Sequence, residues 1–293
     1  MTRVGFVGVG RMGLPMCANL VRRGHRVLVA DARGEAREQA ALVGAGWRAS
    51  AADIGRGADV VITMLPGAEQ SIDVARRAMP GMRRGATWID MGSNPPSTAA
   101  VLGSLAGSRL RVLDAPAGGG PDAAARARLQ LFVGGERDVL AQHLDLLVCM
   151  ADPARIHHLG VHGCGYTAKL LVNLLWFGQT IATTEALMLA THAGIEVGTM
   201  HDALDHSAVA GGFIGRDLAA LLRGDYRTSF GLQGCYEELV AITDVARAAG
   251  TPFALSAVVT DLYRQALEHF GPVDGELMAA ALLEHRAGRV LRG

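Results

Sequence analysis

One stretch near the N-terminus decides the fold, and it reads RVGFVGVGRMG from Arg3 to Gly13. The apolar run from Val4 to Val9 has the length of a buried strand and leads into a glycine-rich turn. The residues that follow, MGLPMCANLVRRG, form an amphipathic pattern that ends at Gly24, a residue type common at helix C-termini. The stretch therefore predicts a strand, a glycine turn and a helix in immediate succession.

The turn matches the pattern Gly-x-Gly-x-x-Gly at Gly8, Gly10 and Gly13, with Arg11 and Met12 between the last two glycines. Gly8 would make the tight turn, Gly10 would let a pyrophosphate approach the backbone, and Gly13 would let the helix pack closely on the strand. The helix N-terminus would then face the anion. The pattern alone is weak, and a glycine turn in another α/β fold is the alternative. Its place between a strand and a helix favours a dinucleotide site.

An acid follows the second predicted strand, HRVLVAD, and it is Asp31. This is about where a ribose-binding carboxylate is expected, because it would accept hydrogen bonds from the ribose 2′-hydroxyl. The same charge would repel a 2′-phosphate, so the sequence favours NAD over NADP. Arg33 lies close enough to pair with a 2′-phosphate, which keeps NADP possible.

Short β-rich runs alternate with helical segments in the first part of the chain, which predicts a parallel sheet covered on both faces. The strand pattern ends near Gly135, and after about Gly160 the pattern is helical only. The predicted fold class is α/β, with a Rossmann-type dinucleotide-binding domain at 1–162, a long inter-domain helix, and an all-α C-terminal domain at 163–293. The helices predicted there are Tyr166–His192, Val197–Ala208, Gly215–Arg223, Gly234–Ala249 and Pro252–Phe270.

Composition narrows the class of protein. The chain has 293 residues, of which 50% are hydrophobic, and its 28 basic and 28 acidic residues balance, so nothing supports binding to nucleic acid or to an anionic membrane. The apolar run Leu170–Ala190 contains polar residues and predicts a buried helix rather than a membrane span. Four scattered cysteines without metal-ligand spacing predict a reduced, cytoplasmic protein without structural zinc. His157, His158 and His162 are interpreted as linker or surface residues rather than metal ligands.

A lysine stands alone in an uncharged region. Apart from histidine, Lys169 is the only charged residue between Gly160 and Glu185, and Asn173 follows one helical turn later. Burying an ammonium group is costly unless it has partners, so this lysine is a candidate functional residue. The alternative is a structural lysine that reaches the surface or pairs with a carboxylate.

Several motifs, taken in order, resemble those of the β-hydroxyacid dehydrogenases. This family includes 3-hydroxyisobutyrate dehydrogenase and tartronate semialdehyde reductase and is related to 6-phosphogluconate dehydrogenase. The resemblance covers nearly the whole chain, and the segments that carry it are GVGRMGLPMCANL, MLP at 64–66, IDMGSNPP, DAPAGGG at 114–120, LFVGG at 131–135 and GCGYTAKLLVN.

The resemblance implies reversible NAD(P)-dependent oxidation of a small β-hydroxyacid, with Lys169 as the proton donor or acceptor and Asn173 as its companion. An ammonium buried among apolar neighbours has a lowered pKa, which suits acid–base catalysis near neutral pH. Family members form dimers or tetramers, and a homodimer or homotetramer is expected here. The remaining site residues that we infer are Leu65, Pro66 and Ser93 for the cofactor, and Gly118, Gly119, Gly120 and Phe230 for the substrate.

The chain departs from the family pattern near the inferred substrate site. Gly118 stands where the family has a serine, and Glu237 stands where it has the lysine of a Lys-Asp-Leu motif. Ala123 and Val172 replace a glycine of the loop and the first of two paired asparagines. The changes at Gly118 and Glu237 put a carboxylate substrate in doubt and mildly favour an imine or other carbonyl reductase, although Lys169 argues against that alternative. For Glu237 the alternative is a solvated residue on the outside of its helix without a role in the site. A non-catalytic dinucleotide-binding oligomer is the third hypothesis.

Overall fold

The computed structural model describes residues 2–207, 210–211, 213–250 and 253–292. The chain divides into two compact units, Met1–Lys169 and Leu170–Gly293. The sequence predicts domains at 1–162 and 163–293, and this boundary between residues 162 and 163 remains a proposal.

The first unit is built on one mixed sheet. Its strand order is β3-β2-β1-β4-β5-β6-β8-β7, with β9 paired to β8, and the strands from β3 to β6 in this order are all parallel. The described strands are β1 (Arg3–Val7), β2 (Arg26–Ala30), β3 (Gly46–Trp47), β4 (Val60–Thr63), β5 (Thr87–Asp90), β6 (Arg111–Asp114), β7 (Ala117–Gly118), β8 (Leu129–Gly135) and β9 (Ala151–Gly160).

Helices cover both faces of this sheet, as predicted. Successive side chains of a strand point to opposite faces, so Val27 and Val29 enter one hydrophobic cluster while Leu28 and Ala30 enter another. The helices are α1 (Gly13–Arg22), α2 (Ala36–Leu42), α3 (Ala51–Gly57), α4 (Ala68–Ala78), α5 (Ser97–Ala106), α6 (Gly120–Ala125) and α7 (Arg137–Leu147).

Two predictions about the sheet are wrong. The strand pattern does not end near Gly135, because β9 follows and contains His157 and His158, which are therefore strand residues rather than linker residues. The sheet is also not wholly parallel, since β8 runs antiparallel to β6 and to β7. Strands β6 and β7 are separated only by Ala115 and Pro116, and a proline, which has no backbone N–H, interrupts a strand.

The second unit is helical. The long helix α8 (Cys164–His192) begins in the first unit and continues into the second, close to the predicted bounds. The predicted helix Gly215–Arg223 is instead a π-helical segment, Phe213–Asp217, followed by a short helix, and the last helix was not predicted. The predicted ends at Ala208 and Pro252 lie outside the described residues. The other helices are α9 (Val197–Asp205), α10 (Leu218–Leu222), α11 (Leu232–Ala249), α12 (Ala254–Phe270) and α13 (Met278–Ala287).

Aromatic residues join the helices of the second unit. Phe177 on α8 packs against Tyr263 on α12, with ring centroids 4.9 Å apart. Trp176 contacts Phe213 edge to face and donates its indole N–H to the buried carboxylate of Asp217 at 2.6 Å. Phe177 is therefore a core residue of the second unit, and Trp176 packs against that core. Within the described part of the chain, no helix is long and apolar enough to cross a membrane.

Candidate active site

The glycine turn after β1 has the geometry that the sequence predicts. Gly8 has φ +94°, and a Cβ on it would overlap the carbonyl oxygen of Met64. A Cβ on Gly13 would overlap the carbonyl oxygen of Gly8, because α1 starts directly on the turn. Gly10 differs, since the nearest atom to its Cβ position is Nη2 of Arg33 at 3.8 Å. Open space at Gly10 is what the approach of a pyrophosphate requires.

Asp31 stands at the end of β2 and faces the same turn. Its carboxylate accepts a hydrogen bond from the backbone N–H of Val9 at 2.8 Å and three from Arg33 at 2.9–3.2 Å. Partial burial alone would raise the pKa of Asp31, but the hydrogen bonds from Arg33 and Val9 outweigh it and hold the pKa below its usual value. An ionised acceptor beside an open glycine turn fits a dinucleotide.

The other predicted cofactor residues lie at one edge of the sheet. Arg11 and Met12 belong to the glycine turn after β1, Leu65 and Pro66 follow β4, and Ser93 follows β5. These three strands are parallel neighbours, so their carboxyl ends meet the same edge, which is where open α/β sheets bind ligands.

The backbone conformation explains two of the three glycines in the predicted substrate loop, but not the third. Gly119 and Gly120 have φ +114° and +71°, a region that other residues rarely adopt. Gly118 ends β7 without such a conformation, and a Cβ there would meet the Phe132 ring at an ordinary 3.5 Å. The backbone therefore requires glycine at 119 and 120 but leaves room for a side chain at 118.

Lys169 and Asn173 lie four residues apart on α8, so both project from the same face of the helix. Both side chains are half-buried. The sequence carries a further signal at this point, because Lys169 is the only lysine in the chain and the other 27 basic residues are arginines. A guanidinium does not lose its proton in proteins, whereas an ammonium can.

A residue that was not predicted contacts Asn173. The amide nitrogen of Asn173 donates a hydrogen bond to the carboxylate of Glu238, which is buried on α11. Helical spacing could have identified it, because Glu238 lies three residues after the buried Cys235 and four before the buried Ile242.

Two predicted substrate residues also lie on or next to α11. Glu237 is exposed and accepts a hydrogen bond from Gln233 at 2.6 Å. Phe230 is partly buried, and its ring lies where a Cβ on Gly234 would be. Their roles toward a substrate stay predictions.

Two buried aspartates lie at the carboxyl ends of β5 and β6. Neither of them was predicted from the sequence as a site residue. Asp90 and Asp114 are register neighbours, and neither is exposed to solvent. Burial raises the pKa of Asp90 to about 6 in spite of a hydrogen bond from the N–H of Gly92, and the carboxylate of Asp114 adds to the increase. His162 approaches Asp114 at 3.9 Å. Among the described residues, no group of three histidines, cysteines or carboxylates could hold a metal ion.

Family models match both parts of the chain. A model described as the NAD binding domain of 6-phosphogluconate dehydrogenase matches residues 3–163. A second, described as NAD-binding of NADP-dependent 3-hydroxyisobutyrate dehydrogenase, matches residues 163–283.

Individual proteins are similar over most of their length. The chain is 30% identical to an L-threonate dehydrogenase of Cupriavidus necator, with 90% of each chain covered. It is also 30% identical to the mitochondrial 3-hydroxyisobutyrate dehydrogenase of Rattus norvegicus, over 90% of this chain and 81% of that protein. The solved 3-hydroxyisobutyrate dehydrogenase of Mycobacterium tuberculosis with L-serine superimposes with a TM-score of 0.87 at 28% identity, covering 97% of this chain and 99% of the other. The chain belongs to the β-hydroxyacid dehydrogenase family and is an NAD(P)-dependent oxidoreductase.

Proposed function

We propose that the protein catalyses the reversible oxidation of a small β-hydroxyacid to its semialdehyde or keto form, with Lys169 as proton acceptor and donor. The observation that carries this proposal is that the only lysine of the chain lies half-buried, one helical turn from Asn173. The helix that carries both begins directly after the sheet whose glycine turn fits a dinucleotide. The names of similar proteins support a hydroxyacid as the substrate.

Each polar group has a distinct role in this proposal. The Lys169 amine takes the proton of the substrate hydroxyl in oxidation and returns it in reduction. Asn173, whose amide is oriented by Glu238, hydrogen-bonds the same substrate oxygen. The consecutive N–H groups of Gly119 and Gly120 bind the substrate carboxylate, because a glycine-rich turn can form an anion-binding nest. When bound, the nicotinamide supplies or accepts the hydride.

NAD is the proposed cofactor. The ionised carboxylate of Asp31 can accept a hydrogen bond from a ribose hydroxyl and repels a 2′-phosphate. The guanidinium of Arg33 already donates two hydrogen bonds to Asp31, so it is less available to bind a 2′-phosphate. Fluorescence titration should give tighter binding of NADH than of NADPH, and the opposite preference would refute this assignment.

Substitution of Lys169 tests the mechanism. Lys169→Ala should lower kcat by about 100-fold or more, since a general acid–base group contributes about that much, while NADH affinity changes little. Lys169→Arg should be equally inactive because it keeps the charge but cannot release the proton. Arg247→Ala removes an exposed basic residue and serves as the control. Turnover near the wild-type rate in Lys169→Arg would contradict the proposed role.

The substrate is tested with a panel of L-threonate, 3-hydroxyisobutyrate, L-serine, their carbonyl forms and a cyclic imine. Turnover of a hydroxyacid is expected. Faster turnover of the imine than of every hydroxyacid would favour the imine reductase alternative. Tight NADH binding without turnover of any compound would favour a non-catalytic binding protein.

We also propose that the protein is a cytoplasmic homodimer or homotetramer. Support for assembly comes from exposed apolar side chains on the second unit, Leu171 and Leu175 of α8 and Leu255 and Val258 of α12, which are 45–80% exposed in the single chain and are called the apolar patch below. Each helix exposes its two side chains at a spacing of one helical turn, and exposed apolar side chains that cluster in this way are typical of an interface. The scattered cysteines support a reducing compartment.

A further inference from the structure

The carboxylate of Asp114 binds the beginning of α8. Its Oδ1 accepts a hydrogen bond from the N–H of Gly163 and its Oδ2 accepts one from the N–H of Tyr166, both at 2.8 Å. The first N–H groups of a helix have no acceptor within the helix. Each oxygen of this buried carboxylate therefore holds one of the amides that the first turn would otherwise leave unsatisfied, and the negative charge suits the positive end of the helix.

The backbone around this carboxylate is in close contact. A Cβ on Gly165 would overlap the carbonyl oxygen of Phe132 and would lie 2.7 Å from Asp114 Oδ2. A Cβ on Gly134 would lie 2.5 Å from Asp114 Oδ1. The first turn of α8 is thus pressed against the ends of β6 and β8, and glycine at both positions is what permits this approach.

A second group of the same turn points toward β5. The Tyr166 side chain is fully buried, and its hydroxyl faces Asp90 and Asn94 without a hydrogen bond of standard geometry within the described residues. Asn94 follows Ser93, one of the predicted cofactor residues. Tyr166 and Lys169 are three residues apart and share a helix face. The turn that precedes Lys169 is therefore hydrogen-bonded to the end of β6 and places the buried Tyr166 side chain beside the end of β5.

We propose that Asp114 is a positioning residue for Lys169: its carboxylate fixes the first turn of α8 to the end of β6 and thereby sets the location of the Lys169 amine. This inference rests on the proposed function, in which Lys169 transfers the proton. Asparagine cannot replace the carboxylate, because one of its two terminal groups is an N–H donor that would oppose a backbone N–H. Displacement of a reacting group by about 1 Å can cost about 100-fold in rate.

The experiment compares Asp114→Asn with Asp138→Asn, which removes an exposed carboxylate in the first turn of α7. In Asp114→Asn, amide hydrogen exchange should accelerate in the peptide that covers 160–170 and stay unchanged in peptides from β1 and β2. We expect kcat to fall by about 10- to 100-fold, with KM and NADH affinity within about threefold of wild type. Asp138→Asn should match wild type in all measurements. Faster exchange with an unchanged kcat would overturn the inference. It would mean that Asp114 holds the first turn of α8 in place but that this does not affect catalysis by Lys169.

Acylation of the only lysine gives a readout that does not need turnover. The rate at which an N-hydroxysuccinimide ester modifies Lys169, read by peptide mass spectrometry, should change several-fold in Asp114→Asn at constant pH. An unchanged rate would overturn the inference even if the wild type proved inactive on every substrate, an outcome that would refute only the proposed function. If Asp114→Asn does not fold, Gly134→Ala takes its place, because a Cβ at that position would lie 2.5 Å from Asp114 Oδ1 and would displace the carboxylate without removing it. An unchanged kcat together with an unchanged acylation rate in that variant would overturn the inference.

Discussion

Among single residues, Gly118 is the one whose identity the backbone does not explain. Gly119 and Gly120 adopt positive φ angles, but Gly118 does not, and its surroundings accept a Cβ without displacement. The missing side chain is therefore a feature of the predicted substrate site rather than of the fold.

Replacing Gly118 by serine should lower the KM for a hydroxycarboxylate by about tenfold or more, because one hydrogen bond to a charged group contributes at least about 1.5 kcal/mol. Gly118→Ala introduces the Cβ without the hydroxyl and should stay close to wild type. The measurement is steady-state kinetics with the best substrate of the panel. Equal KM values in the serine and alanine variants would show that residue 118 does not contact the carboxylate.

Asp90 should make stability depend on pH. Its pKa of about 6 in the folded protein lies above the value near 3.9 expected in the unfolded chain, so the folded state binds the extra proton between these values. The contribution of Asp90 to stability should therefore fall as pH rises from about 4 to about 6, by up to about 3 kcal/mol, and remain constant above that range. Asp90→Asn removes the titrating group and should lack this decrease.

Urea unfolding followed by tryptophan fluorescence measures this effect at pH 4.5, 5.5 and 7, since Trp88 lies in the same strand, β5, as Asp90. The difference between wild type and Asp90→Asn isolates the contribution of one carboxyl from the rest of the chain. A difference that is constant across the three pH values would contradict the raised pKa.

The strands of the sheet differ in how well the sequence predicts their positions. Strands β1, β2, β4 and β5 were predictable because both faces of a central parallel strand are buried, which leaves continuous apolar runs. In contrast, β9 has the sequence ADPARIHHLG and pairs only with β8. An edge strand can be polar and can contain proline, so it has no distinctive pattern. The two hydrogen bonds of Asp114 link residues about 50 positions apart, which no local pattern reveals.

Helix α11 contributes a second contact that only the structure makes evident, and its importance can be measured. Glu238→Ala should lower kcat/KM by about tenfold, because it leaves the amide of Asn173 without its acceptor. Glu238→Gln should retain most activity, since its side-chain oxygen can still accept that hydrogen bond. Asp244→Ala, on the exposed face of α11, is the control. Loss of activity in Glu238→Gln as large as in Glu238→Ala would indicate that the charge, not the hydrogen bond, is required.

At the level of the whole molecule, the predicted fold class is confirmed: an N-terminal α/β part with a largely parallel sheet and a helical C-terminal part. Each unit has hydrophobic clusters of its own. The apolar patch of α8 and α12 belongs to neither cluster of the second unit, which is why we assign it to assembly.

Introducing charge into this patch should separate the subunits. Wild type should have two or four times the chain mass of 30.7 kDa by light scattering coupled to size exclusion. The double variant Leu255→Asp, Val258→Asp should have a smaller mass, because burying an unpaired carboxylate in an interface is unfavourable. Leu42→Asp changes an equally exposed leucine in the first unit and should not alter the mass. A wild type of 30.7 kDa would refute the assembly proposal.

The presence of a single lysine has a practical consequence for work with this protein. Common supports for enzyme immobilisation and common biotin or dye labels couple through lysine amines, and here the only such side chain is Lys169 on α8. Coupling would therefore either attach at the polypeptide N-terminus or consume the residue proposed for catalysis. Genetically encoded tags avoid this choice, and a lysine introduced far from α8 would provide a defined attachment point.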